Sequence, residues 1–298
     1  MSLSHHDRFD YVPITQRQEF TWPEGNGLAV YIAVNLEHFA FGEGLGAELA
    51  PGGPQPDVLN YAWRDYGNRV GAWRMIEMLD ALALPATVLV NSAIYDHALT
   101  LVAAHRDRDD EIVGHSVTNS ERQSTLVEAE EADLMGQATA AMTLAEGKSP
   151  VGWLSPWIAE SEHTPDLLKE AGYGYTLNWC MDDQPIWMRT RSGPLLAVPY
   201  PQEVNDIPAV LARKETASGF ADLIIDTFDE MLEQADGQSL VMGIALHPYI
   251  VGQPARLRHL RRALTHICAA RKAIWITTAG AIANSFAAQV PPPQRSVP

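Results

Sequence analysis

Short, wholly apolar runs alternating with amphipathic stretches constrain this chain more than any other feature. Leu28-Ala29-Val30-Tyr31-Ile32-Ala33-Val34 and Ser239-Leu240-Val241-Met242-Gly243-Ile244-Ala245-Leu246 are nearly unbroken apolar segments. Their length and residue types suit strands buried on both faces, as in a parallel sheet. Ala86-Thr87-Val88-Leu89-Val90 reads as a third, with weaker candidates at Glu111-Ile112-Val113-Gly114, Trp153-Leu154-Ser155, Tyr175-Thr176-Leu177 and Ala273 to Thr277. Between them the apolar spacing turns helical. Val70, Trp73, Met75, Ile76, Met78 and Leu79 predict a helix of about three turns that ends before Pro85.

Thr125-Leu126-Val127-Glu128 has capping-box spacing and predicts a helix opening at Thr125 and stopped by Gly147. Further helices are expected at Thr164 to Ala171, with Pro165 in the first position, at Phe220 to Ala235, and from Pro254 to Ala270. Strands that alternate with helices pair in parallel and are covered by those helices. About seven such units without a linker favour an α/β fold closed into a barrel over an open doubly wound sheet. Residues 1–26 read as an N-terminal arm, 27–285 as a single catalytic barrel domain, and 286–298 as a flexible Pro-rich tail. Gly42 to Pro56 is dense in Gly and Pro and reads as a loop.

Composition narrows the function classes. The 298 residues are 46% hydrophobic, ample for a core, and carry a net charge of -16 from 37 acidic and 21 basic side chains. That balance disfavours a phosphate-neutralising nucleic-acid surface and attachment to anionic membranes. Cys180 and Cys268 form no C-x-x-C pair and are expected to be buried, inert thiols. No apolar run approaches the roughly 20 residues that span a bilayer. Met1 to Phe9 places His5, His6 and Asp7 where a signal peptide needs an apolar stretch. A cytoplasmic protein is therefore expected, with His5 and His6 in a frayed terminus.

Three polar clusters stand just beyond proposed strands: Asn35-Leu36-Glu37-His38, His115-Ser116-Val117-Thr118-Asn119, and His247. Loops that follow parallel barrel strands share one face, so these distant positions can converge. Glu37 is the general-base candidate, because burial beside an apolar strand can tune a carboxylate to take a proton from water. His247, fixed in its exit path by Pro248, can hand a proton to a leaving nitrogen. His38 and His115 can ligate metal or orient substrate. Asn119 is a poorer ligand that can instead cap a turn. Asp182 and Asp183 follow a further strand candidate and can bind a cation, orient a catalytic group or bind substrate N–H groups, and Asn205-Asp206 resembles a similar loop cluster. Trp153, Ser155, Trp157 and Trp187 can bound a small polar pocket. Neither Ser155, in W-L-S-P-W, nor Ser116 has the surroundings of a serine nucleophile, which leaves water for that role.

At these clusters the sequence resembles the polysaccharide deacetylase, or NodB-homology, superfamily, and within it the branch of metal-independent allantoinases and related cyclic-imide or amide hydrolases. The resemblance covers most of residues 20–285. Its motifs are N-L-E-H at 35–38, Y-G-N-R-V-G-A-W-R at 66–74, E-I-V-G-H-S at 111–116 and G-W-L-S-P-W at 152–157, then M-D-D-Q-P-I-W at 181–187, V-N-D at 204–206 and L-H-P-Y-I-V-G-Q-P-A-R at 246–256.

The resemblance implies a distorted, NodB-like (β/α)7 barrel, with Glu37 as base and His247 as general acid. It implies a metal set at His38, His115 and Asn119, holding one divalent ion such as Zn2+, or a site that works without metal. The family's usual aspartate and two histidines are not all present, and Leu154 stands where deacetylases ordinarily carry arginine. These departures shift the expected substrate from a sugar polymer to a small-molecule amide, cyclic imide or ureide, and a homo-oligomer is expected by the same analogy. Catalytic roles thus fall to Glu37, His247 and Asp183. Substrate contacts fall to His115, Asn119, Trp153, Ser155, Trp157, Asp182, Trp187 and Asn205. The alternatives are a metal-dependent deacetylase of a small N-acetylated sugar or amine, and a catalytically degenerate barrel that binds or assembles.

Overall fold

A computed structural model describes residues 5–42 and 46–293. Part of the loop expected at 42–56, the first four residues and the end of the expected tail lie outside the described residues. The strands are β1 (Leu28–Leu36), β2 (Thr87–Val90), β3 (Glu111–Gly114), β4 (Gly152–Trp153), β5 (Tyr175–Thr176), β6 (Ile186–Thr190), β7 (Gly193–Ala197), β8 (Leu240–Leu246) and β9 (Trp275–Thr277). They form one curled sheet in the order β6-β7-β5-β4-β3-β2-β1-β8, and β9 pairs with β1. Every pairing is parallel except that of β6 with β7. The fold is α/β, a distorted half-barrel of the expected kind.

β1 is the spine. All nine of its residues are buried, which explains why its sequence is a continuous apolar run rather than an alternating one. Along one edge it pairs with β8 from Leu28↔Leu240 to Val34↔Leu246. Along the other, Ala29–Tyr31 meets β9 and Ala33–Leu36 meets β2. Its outward side chains pack under helices Ala72–Leu82, Ala217–Gln234 and Pro254–Ala269, and Ala29, Tyr31 and Ala33 fill the barrel interior with Leu89, Leu177 and Val198. Each fully buried aliphatic side chain is worth about 1.5–3 kcal/mol.

Closure is incomplete. Among the described residues the free edge of β8 meets no strand, only two backbone hydrogen bonds and one bridge: Val241 N–H to the Asp183 carbonyl at 2.8 Å, Ala245 N–H to the Val204 carbonyl at 3.1 Å, and the bridge Asn205↔Ala245.

Several local expectations shift. The helix after Thr125 spans Glu128–Glu146; Thr125 sits in a preceding turn, and Glu130, not Glu128, reaches back to the chain entering the helix, at Val127 N. The helix expected near 70–79 is Ala72–Leu82, preceded by Val58–Tyr66 and a wide π turn at Gly67–Gly71. The β6–β7 hairpin had no clear signal, because Pro185 and Pro194 break its apolar pattern. The last helix, Ala279–Gln289, runs across the expected boundary at 285, with Phe286 buried. In the arm, Phe20 and Trp22 are buried as well. Cys180 is exposed rather than buried. No helix among the described residues is long and apolar enough to cross a membrane.

Candidate active site

Glu37, His115 and His247 are each the first or second residue beyond the end of a parallel strand, and the curl of the sheet brings them together. They line a cavity of about 110 Å³ together with Asn119, Ser155, Trp157, Asn205, Tyr200 and Tyr249. The backbone is shaped for this convergence. Gly114 ends β3 where a Cβ would lie 2.7 Å from the Trp153 ring, so only glycine lets β3 and β4 approach there. Ser116 takes a left-handed φ of 58°, which turns the chain so that Asn119 returns to the cavity. Trp157 and Ile158, on its wall, are also left-handed at 64° and 53°. Gly71 faces Pro248, whose carbonyl would stand 2.1 Å from a Cβ. That close packing seats the short helix Pro248–Val251 and aims Tyr249 inward.

The Glu37 carboxylate is held at both oxygens. Asn119 Nδ2 donates to Oε1 at 2.5 Å and the Tyr249 hydroxyl donates to Oε2 at 2.9 Å. Asn119 is itself oriented, because Asn91 Nδ2 donates to its Oδ1 at 3.0 Å. Asn68 Nδ2 donates to the Glu37 backbone carbonyl at 2.8 Å. Two imidazoles face the same carboxylate oxygen beyond direct bonding range: His115 Nε2 at 3.6 Å and His247 Nε2 at 3.5 Å.

The histidines are fixed from behind. His115 Nδ1 donates to the Leu154 carbonyl at 2.6 Å, which leaves Nε2 buried and without a protein partner. His247 Nδ1 meets Asp206 Oδ1 at 2.6 Å, and the His247 N–H donates to Asp206 Oδ2 at 2.8 Å.

Charge follows from this geometry. Burial would push Glu37 up, but the His247 charge, and after it the neighbouring His115, bring it down to about 2. Burial would lower His247, but Asp206 and Glu37 carry it up to about 10. Burial pushes Asp206 above the ordinary carboxylate range against the pull of His247. Near neutral pH the site therefore holds a carboxylate facing an imidazolium. Such a pair can take a proton on one side and give one on the other.

Of the residues read from sequence, Glu37, His115, Asn119, Ser155, Trp157, Asn205 and His247 line the cavity. Others do not. His38 stacks on His97 at 3.8 Å with the rings 8° apart, turned away from the cavity, and burial and the His97 charge lower its pKa. Trp153 is fully buried in core against Tyr173, ring centroids 5.2 Å apart, because β4 points it outward under the helices. Asp182, Asp183 and Trp187 lie near the start of β8, at the opposite end of the sheet. Asp182 pairs with Arg17 at 2.6 Å, the Asp183 carbonyl bonds Val241, and Trp187 Nε1 donates to the Val290 carbonyl at 2.8 Å. The long loop from β5 to β6 carries them back along the barrel, so their position after a strand candidate was misleading. Asp183 lines a different hollow from the one that holds Glu37, His115 and His247.

The donor set does not fit a metal centre. His38 faces elsewhere, Asn119 presents its amide N–H rather than its oxygen, and no group of three or more His, Cys, Asp or Glu among the described residues could hold an ion. Tyr249, Asn91 and Tyr200 are not singled out by the sequence, and Asp206 stands out there only as part of a loop cluster with Asn205. Asp206 and Tyr249 sit inside the V-N-D and L-H-P-Y motifs, and that adjacency was the available signal.

No family model matches the sequence. A fission yeast (Schizosaccharomyces pombe) protein described as "Putative polysaccharide deacetylase" is 26% identical, over 91% of this chain and 93% of its own length. Among solved structures, a PuuE allantoinase superposes with a TM-score of 0.84 at 23% identity, covering 95% of this chain and 99% of that one. A probable polysaccharide deacetylase from Pseudomonas aeruginosa PAO1 gives 0.82 at 24% identity, covering 91% and 94%. The chain has the fold of the polysaccharide deacetylase superfamily. The allantoinase-like branch within it is represented among the structural neighbours.

Proposed function

We propose that this chain is a hydrolase of a carbon–nitrogen bond in a small amide, cyclic imide or ureide. The observation that carries the reading is the Glu37 carboxylate flanked by two imidazole nitrogens, 3.5 and 3.6 Å away, inside a cavity large enough for a compact group. The relatives named above, one described as a putative polysaccharide deacetylase and one as an allantoinase, support a hydrolase of this general class.

In this reading a water molecule rests against Glu37 Oε1. Glu37 takes its proton as the water oxygen bonds to the substrate carbonyl carbon. His247 Nε2 then gives its proton to the nitrogen, the C–N bond breaks, and an acid and an amine or amide leave. Losing that proton removes the positive charge that keeps Glu37 acidic, so the carboxylate holds the captured proton better once the leaving nitrogen is protonated. Asp206 keeps the His247 ring oriented throughout. His115, with its Nδ1 proton committed to Leu154, turns the Nε2 lone pair into the cavity, where it can accept a hydrogen bond from the attacking water.

A product-resolved screen of ureides, imides and N-acetyl compounds tests the reading, with Glu37→Gln alongside. Ring opening or amide cleavage that falls about 10³-fold in the variant supports it. Turnover confined to N-acetyl sugars or amines, restored by a divalent metal after chelation, indicates the deacetylase instead. A folded chain that binds these compounds and cleaves none is a binding barrel.

A further inference from the structure

Ser155 lines the cavity and is fully buried. Its hydroxyl oxygen accepts from two groups that can only donate there. Trp153 Nε1 reaches it at 3.0 Å, and an indole N–H has no acceptor. Asn178 Nδ2 reaches it at 3.0 Å, and the Asn178 amide cannot be turned over, because its Oδ1 accepts the Ser155 backbone N–H at 2.7 Å. With both lone pairs occupied, the hydroxyl proton finds no acceptor among the described residues, and the cavity that Ser155 lines can supply one. Asn178 is held in turn by Glu160, whose Oε2 accepts from Asn178 Nδ2 at 2.7 Å and whose Oε1 accepts from Trp179 Nε1 at 2.7 Å.

We propose that Glu160 is a positioning residue which, through Asn178, makes Ser155 a hydrogen-bond donor to the acceptor oxygen of the bound substrate. The inference takes the cavity to be the reacting site, as proposed above, but the relay can be tested without turnover. Its chemistry favours a ligand with a carbonyl oxygen beside Ser155, where negative charge develops on water attack. Glu160 also makes the relay sensitive to pH. Burial raises it to about 7, against the pull of its bonds from Asn178 and Trp179. Arg8 of the arm and Glu131 of the long helix are the charged groups acting on it, and His6 lies edge-on to Trp179 with ring centroids 5.2 Å apart. Protonated, Glu160 loses an acceptor site and loosens Asn178. Ionised, it clamps Asn178, and Asn178 fixes Ser155.

The indole N–H resonances of the full chain read this directly. Trp179 reports on Glu160 and Trp153 reports on Ser155. Both are expected to titrate with one midpoint near the Glu160 value of about 7. Glu160→Gln should abolish both steps, and His6→Gln should leave both. Asn178→Ala should keep the Trp179 step and lose that of Trp153. Movement of Trp179 alone in the unmodified chain, or of neither indole, overturns the relay whatever the hydrolytic activity proves to be. Conversely, coupled steps in a chain that cleaves none of the screened amides leave the relay standing and remove the hydrolase reading. With a substrate that turns over, Glu160→Gln should lower kcat more than it raises KM. The double variant with Ser155→Ala should be no slower than Ser155→Ala alone.

Discussion

The two ends of the barrel carry similar-looking sequence and opposite chemistry. At the C-terminal end of β1 and β8, Glu37, His115 and His247 share a cavity of about 110 Å³ and are almost wholly buried. At the other end, Asp182, Asp183 and Trp187 line a hollow of about 1170 Å³ between the arm, the β6–β7 hairpin and the last helix. On the proposed reading the larger space is the less reactive one. Its Asp182 is neutralised by Arg17, and Asp183 is exposed, lifted by partial burial and the neighbouring Asp182 charge and facing no imidazole. His247 lies six positions beyond Val241 along and just past β8, about 20 Å at strand rise. Reactivity here follows from charges forced together out of water, and the volume around them is secondary.

The sharpest way to break this contrast is to remove the base. Glu37→Gln should cost about 10³- to 10⁴-fold in kcat, with a far-ultraviolet dichroism spectrum like that of the parent. A parent-like rate would sink the assignment of the small cavity as the reacting site. Asp206→Asn should follow with a loss of about 10²-fold, because His247 loses its orienting acceptor. It should also bring the alkaline limb of the rate profile down from near the His247 value of about 10.

The pH dependence of stability separates the ends further. Glu37 is depressed from 4.5 to about 2, so its contribution is present above 4.5 and lost as pH falls through about 2. His247 is raised from 6.5 to about 10, so its contribution is complete below 6.5 and lost as pH rises through about 10. Denaturant midpoints measured across pH should show both limbs, and Glu37→Gln should weaken the alkaline one. The smallest effect belongs to the far end. Asp183→Asn should leave kcat/KM within about twofold, under about 0.5 kcal/mol in barrier. A loss beyond tenfold would tie the large hollow to the reaction.

Much of the site was legible because it obeys a simple rule: the first polar residues after a buried parallel strand face one end of the barrel. Glu37, His115 and His247 were found that way, with Asn119 following His115. The rule failed where the strand itself was misplaced. Asp182 and Asp183 follow β5 in sequence, but a loop returns them to the start of β8, and no pattern in M-D-D-Q-P-I-W marks the reversal. Trp153 was legible as aromatic and near the site. Which face of β4 it takes depends on a two-residue strand whose register hydrophobic alternation cannot set. Tyr249, and the role of Asp206, were hidden for another reason. Their importance lies in what they touch, the back of His247 and the second oxygen of Glu37, and contacts across 41 and 212 residues leave no periodic trace.

The unsewn edge of β8 gives the barrel a weak seam. Asp206, which steers His247, rides on the same patch of chain that latches that edge through Val204 and Asn205. Unlatching there demands far less free energy than global unfolding. It would idle the proton donor while the spine strand and its carboxylate stay put, so amide exchange at Ala245 should outpace that of its neighbours bonded to β1.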